Sequence, residues 1–300
     1  MSTIIVGGAV TGSLDAPAKP SSIFKHALLH TVQGRVGIAS LTLIFLVILL
    51  GPLFAPYSYS ELGVGAPLER ASLAHLFGTD QLGRDILSRL LFGGGTVVLV
   101  PLVAVTLAFC IGGGVGTYGA YKGGKTDLLI TRTFDLFLAV PPLLLALVII
   151  SALGTSPMVL VAVVTIVYIP RIGRVIRGAT QGIITNDYVA AAEARGESTL
   201  AILLREVFPN VMGLASAEYA LRLTYSILFV ATLSFLGLGA QPPSSDWGLM
   251  VAESRGFISI NPWATLAPSL AIAILSVGFN LVADALASVV GASENGRVVI

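Results

Sequence analysis

Glu218 and Arg222 stand four residues apart inside Val211–Ala240, a stretch that is otherwise almost wholly apolar. At that spacing the two side chains share one helix face, with the acid N-terminal, the order that favours an ion pair. Charges inside an apolar span either line a polar path or hold neighbouring helices in register. Asp135, Asn280 and Asp284 pose the same alternative in two further apolar stretches. Gly119-Ala-Tyr-Lys-Gly-Gly-Lys-Thr126 fits the phosphate-binding pattern G-x-x-x-x-G-K-[ST]. That chemistry needs backbone amides poised between a buried strand and a helix. Here the segment follows an apolar span, and no strand–helix alternation surrounds it. It is read as a chance match in a short turn, with Lys122 and Lys125 as topology signals. His26, His30 and His75 show no metal-ligand spacing, and Cys110, alone in an apolar run, is expected to be a small buried apolar residue. Nothing pairs a nucleophile with a base, or two carboxylates, so catalysis, a metal and a cofactor held by this chain are not expected.

The elements that carry these residues follow from composition. The chain has 300 residues, 55% hydrophobic and 11% charged, with net charge +1, and its mean hydropathy is +0.91. Soluble domains carry about 25% charge, so lipid must cover much of this surface. A near-neutral chain carries no signature of nucleic-acid binding. Six apolar stretches stand out: Gly37–Ala55, Val97–Tyr121, Leu128–Leu153, Pro157–Pro170, Val211–Ala240 and Trp263–Val290. A span needs about 20 helical residues. The first stretch is at the short end, and the fourth is shorter still, so it either borrows the following Arg171–Arg177 turn or tilts little. Backbone groups in lipid must be satisfied within the segment, so helix is required. The expected fold is all-α, a polytopic membrane protein with six transmembrane helices. Pro141 and Pro142 should break the third helix locally. Gly112, Gly116 and Ala120 recur every four residues, a small-residue face for close helix packing.

With the N-terminus inside, most basic residues fall on inner segments, including Lys122, Lys125, Arg171, Arg174 and Arg177. Only Arg70, Arg84, Arg89 and Arg255 fall outside. The positive-inside rule selects this topology, with both termini cytoplasmic. Met1–Pro20 lacks a charged segment followed at once by an apolar core, so it reads as a disordered tail rather than a cleaved signal peptide. The division is a tail over 1–34, a transmembrane domain over 35–290 with an elbow at 186–210, and a tail over 291–300.

That elbow is the most informative segment. Asn186 or Asp187 can cap a helix, Ala190–Ala192 favour it, and Gly196 suits a left-handed C-terminal cap. Ser198 or Thr199 can start a second helix, expected to stop at Pro209. Leu200, Leu203, Leu204 and Val207 fall on one helical face. The shape fits a groove on a partner protein; an amphipathic segment lying on lipid is the alternative.

The segment from Asp187 to Asn210 resembles the EAA loop of ABC importer permeases, through Tyr188, Val189, Ala191, Ala192, Gly196, Pro209 and Asn210. The glutamate of that pattern falls on Ala190, with Glu193 one turn further on. Either Glu193 substitutes for it or that contact is absent. Phe77–Arg89, Gly237–Met250 and Pro268–Asp284 are similar to the dipeptide/oligopeptide/nickel permease group, and to its second, C-type permease.

The resemblance implies a type I ABC importer fold in a bacterial cytoplasmic (inner) membrane. It implies a non-catalytic subunit of a peptide importer, or of a nickel or glutathione importer in the same family. The partners it implies are a homologous B-type permease, one or two ABC ATPase subunits that bind ATP and Mg, an extracytoplasmic solute-binding protein, and lipid. It makes Asp187, Tyr188, Ala191, Ala192, Glu193, Gly196, Pro209 and Asn210 the ATPase-coupling residues. A stand-alone secondary transporter would show paired interrupted helices, and a membrane enzyme would cluster ionisable residues at one face. The sequence shows neither pattern.

Overall fold

The computed structural model describes residues 28–294, with side chains to 288. The segment Met1–Pro20, His26 and the residues after 294 lie outside it. Among the described residues twelve α-helices run in order: α1 (Val32–Phe54), α2 (Ile86–Phe92), α3 (Gly94–Ala108), α4 (Gly114–Lys122), α5 (Gly124–Ala139), α6 (Pro142–Leu153), α7 (Pro157–Ile183), α8 (Asp187–Ala194), α9 (Thr199–Ile202), α10 (Phe208–Phe235), α11 (Trp247–Ser254) and α12 (Trp263–Glu294). Wide π turns at Phe109–Gly113 and Leu203–Val207 join α3 to α4 and α9 to α10. Cys110, in the first of these turns, is exposed rather than buried as expected. Among the described residues the only β feature is an isolated bridge, Thr79 to Asp85.

Five helical segments of the described chain are long and apolar enough to cross a bilayer, and the sixth candidate is the pair α5–α6, bent by 84°. The bend falls where α5 ends before Pro141–Pro142, since proline has no amide to donate and clashes with the preceding turn. The chain is therefore the expected polytopic all-α membrane protein, with its third span bent rather than straight. The short fourth stretch does borrow the arginine-rich turn: α7 runs unbroken from Pro157 through Arg171, Arg174 and Arg177 to Ile183.

Helix α7 is the hub. Leu160, Val163, Val164, Ile172 and Ile176 are buried against α3, α6 and the elbow. Helix α1 is peripheral and touches α12 closely at Gly37, where an added Cβ would lie 3.0 Å from the Gly278 carbonyl oxygen. Its leucines, such as Leu43, Leu49 and Leu53, remain exposed, as a lipid-facing surface requires.

The small-residue row does what its spacing predicts. A Cβ on Gly112 or Gly116 would come closer than 3.0 Å to the carbonyl oxygen of Ile169 or Gly173 on α7, so the two backbones touch. Gly116→Ala is expected to destabilise the protein by about 1–3 kcal/mol, because the backbone it meets cannot swing aside. Gly114 has nothing within 4 Å of a Cβ position, so Gly114→Ala should be neutral or better. Thermal unfolding of the two variants in detergent checks the contrast. The segment that resembles a phosphate loop forms the α4–α5 turn, with Gly123 at φ 62° and Gly124 at φ 55°.

Candidate docking elbow and pathway cleft

At one end of the bundle, α7 turns into the elbow. Asn186 takes the N-cap position of α8, but its side chain makes no capping bond; its Nδ2 donates to the Ile183 carbonyl at 2.9 Å. The other end of α8 closes fully. Gly196 adopts φ 75°, its amide donates to Glu193 O at 2.9 Å, and the Glu197 amide reaches back to Ala192 O at 3.2 Å. This is a complete Schellman closure. Ser198 then caps α9, its Oγ accepting from the Ala201 amide at 3.3 Å.

The inner side of the elbow is fixed to the bundle: Val189, Ala192, Ile202 and Val207 are buried in the same cluster as Ile172 and Ile176. The outer side is free. Asp187, Tyr188, Ala191, Glu193 and Gly196 are exposed, as are Pro209 and Asn210 further along, whereas Ala192 belongs to the buried side. Glu193 lies beside the Tyr121 hydroxyl at the end of α4.

Two sequence expectations need correction here. The second helix does not stop at Pro209. It passes through the π turn at Leu203–Val207, where the Phe208 amide bonds to the Leu203 carbonyl, and Pro209 becomes an early residue of α10 that needs no amide partner. The same extra residue breaks the expected single apolar face. Val207 is buried, while Leu200 and Leu204 are exposed along an apolar groove of about 370 Å³ with Leu203.

The polar residues within spans divide into two kinds. Asp135 pairs with Arg174, and Asp127 accepts from Arg177 Nε and one terminal nitrogen at 2.5 Å each, so α5 is laced to α7. Glu218 Oε1 meets Arg222 Nε at 2.5 Å on α10, the i, i+4 pair read from sequence. Beside it opens a cleft of about 370 Å³ lined by Tyr168, Arg171, Arg222, Tyr225 and Phe229. Asn280 and Asp284 are not brought to this cluster. Both are exposed on α12, whose Ala283 and Leu286 pack against α10. Arg171 lies midway along α7, on the same helix as Arg174 and Arg177.

At the opposite end, the segments 56–85 and 237–262 lock together. Asp80 Oδ2 binds Arg84 Nε at 2.6 Å and Arg89 at 2.7 Å, and Glu253 Oε2 binds the same arginines at 2.9 and 2.8 Å. Asn261 Nδ2 donates to the carbonyls of Glu69, Phe77 and Thr79. Trp247 Nε1 donates to Leu90 O at 2.9 Å. His75 Nδ1 lies 3.1 Å from Asp85 Oδ1. Asp246 caps α11 through Leu249 N at 3.0 Å, and burial pushes its carboxyl above the ordinary carboxylate range. These partners are not legible in the loop sequences, although Phe77–Arg89 and Gly237–Met250 stand out there as motifs.

Residues 108–293 match the family model described as binding-protein-dependent transport system inner membrane component. The chain belongs to this family. It is similar to the dipeptide transport system permease protein DppC of Alkalihalophilus pseudofirmus, at 36% identity over 84% of this chain and 83% of the relative. It is similar to the di/tripeptide transport system permease protein DppC of Pseudomonas aeruginosa, at 34% over 89% and 90%. It is also similar to the glutathione transport system permease protein GsiD of Escherichia coli, at 37% over 72% and 71%. The permease is thus a multi-pass inner-membrane subunit of an ABC importer, a transport component rather than an enzyme. Its family implies ATPase and binding-protein partners. The matched region begins just before the first π turn and contains α7, the elbow and nearly all of α12.

Proposed function

We propose that this permease, paired with a homologous B-type permease, forms half of a translocation pathway for dipeptides and short oligopeptides. ATP and Mg act on the partner ATPase. The elbow at 186–210 docks that ATPase, with Asp187, Tyr188, Ala191, Glu193 and Gly196 on the contact side, Ala192 anchoring the elbow from within, and Pro209 and Asn210 at its exit. Glu218 and Arg222 line the pathway; Asp135 serves helix register. The elbow end faces the cytoplasm with both termini, and the locked loops face the solute-binding protein. The transmembrane domain then covers 35–290 between tails at 1–34 and 291–300.

The observation that carries this reading is the asymmetry of the elbow. Its inner side is buried in the α7 core, so a force applied to its exposed side moves the spans rather than bending a loop. Such a two-state element needs a ligand that favours one state. Peptide relatives at 34–36% identity support the cargo, and the glutathione relative at 37% supports glutathione, itself a peptide-like anion, as the second reading. The test is ATPase activity of the reconstituted importer with its binding protein, against di- and oligopeptides, glutathione and nickel. Stimulation by peptides is expected. Stimulation by nickel alone would replace the cargo, and a purified complex without ATPase activity would overturn the assignment.

A further inference from the structure

Arg171 stands at the middle of α7 and Arg222 at the middle of α10, each roughly 20 Å from either helix end at 1.5 Å per residue. Both line the same cleft, together with Tyr168 and Tyr225. Arg222 is balanced by Glu218. Arg171 is not balanced. Its only hydrogen bond among the described residues is from a terminal nitrogen to the Val167 carbonyl at 2.7 Å, and it meets no carboxylate. The cleft therefore carries an excess positive charge beside the exposed ring of Tyr225. An arginine on a spanning helix without an acid is costly unless water or an anion reaches it. A guanidinium presents paired N–H groups that match a carboxylate.

We infer that Arg171, with Arg222 and Tyr225, forms a carboxylate-reading subsite that holds the C-terminal carboxylate of the peptide in transit. The inference rests on the peptide reading above and adds the group that is recognised within the membrane. Hydrogen bonds to a charged group are strong enough to give about a tenfold preference for the free carboxylate over its neutral amide. The residual ion pair at Glu218 keeps the site from binding too tightly to release.

The test uses the complete permease–ATPase complex in detergent without nucleotide, so that both openings are accessible and the binding protein does not filter the ligand. Leu228 lines the cleft and is 44% exposed. Leu228→Cys in a Cys110→Ser background reports occupancy through its rate of labelling by a neutral maleimide. A free dipeptide such as Ala-Ala is expected to slow labelling at about tenfold lower concentration than its C-terminal amide. Arg171→Gln should level the two ligands, and Arg171→Lys should keep the preference. Equal protection by dipeptide and amide, no protection by either, or a preference that survives in Arg171→Gln would overturn the inference. If Arg171→Gln does not assemble, the comparison of dipeptide and amide on the parent complex remains decisive. Failure of the peptide reading shows separately, as absent peptide stimulation of the ATPase.

Discussion

Gly196→Val is expected to lower uptake by at least about tenfold while the chain still inserts and accumulates in the membrane. Gly196 sits at φ 75°, where a side chain with a Cβ is strained and a β-branched one most of all. A Cβ there would meet nothing within 4 Å, so the penalty is conformational rather than a clash. Relief of the strain requires the chain to leave the left-handed region. That breaks both closing bonds, Gly196 N to Glu193 O and Glu197 N to Ala192 O, and re-aims α8 against α9. The elbow lies between the spans α7 and α10, so their insertion is not at stake. Gly196→Asn is the control, because asparagine tolerates this conformation, and it should keep most of the uptake. Uptake by whole cells, normalised to the amount of membrane-inserted chain, separates the outcomes. Normal uptake by the valine variant would remove the elbow from the coupling path.

What the sequence shows and what it hides divide along a physical line. Lipid imposes length, hydropathy and internal hydrogen bonding on each span, and these are local properties. Hence the apolar stretches, the break at Pro141–Pro142, the extension of α7 through Arg177, the glycine row facing α7 and the Gly196 closure are all legible. The π turn at Leu203–Val207 is not, because one extra residue per turn leaves no compositional mark. An ideal 3.6-residue reading therefore places Val207 with Leu200 and Leu204, when it packs inward. Glu218 and Arg222 announce themselves by spacing. That Arg171 shares their cleft depends on how α7 crosses α10. Asn280 and Asp284 have the right residue types but lie on α12, whereas the cleft is lined from α6, α7 and α10, a matter of helix packing that sequence alone does not set. The loop motifs are visible as motifs, yet their chemistry lies in pairs such as Arg84 with Glu253, far apart in the chain.

That loop cluster sets the second large effect. Asp80→Ala is expected to destabilise the protein by about 3–5 kcal/mol, the usual result of removing one partner from a buried charge cluster. Arg84 and Arg89 are each 2% exposed and Asp80 4%, so water cannot replace the lost carboxylate. Asp80 also accepts the backbone amides of Leu82 at 2.8 Å and Arg84 at 3.0 Å through Oδ1, so the loop turn loses its anchor with the charge. Two guanidinium groups would then share Glu253 alone. Arg89 already has two buried nitrogens, Nε and one terminal nitrogen, without a hydrogen-bond partner among the described residues, so it has little further capacity to absorb the loss. Glu253→Gln keeps an acceptor at a position 15% exposed and should cost markedly less. Denaturant or thermal unfolding in detergent measures the difference. If the two variants prove equally mild, the cluster is not what joins the 56–85 segment to α11. If Asp80→Ala alone is severe, this end of the permease is a pre-formed platform, held by its own charges before any partner arrives, and the motion of transport belongs to the elbow and the α7–α10 cleft.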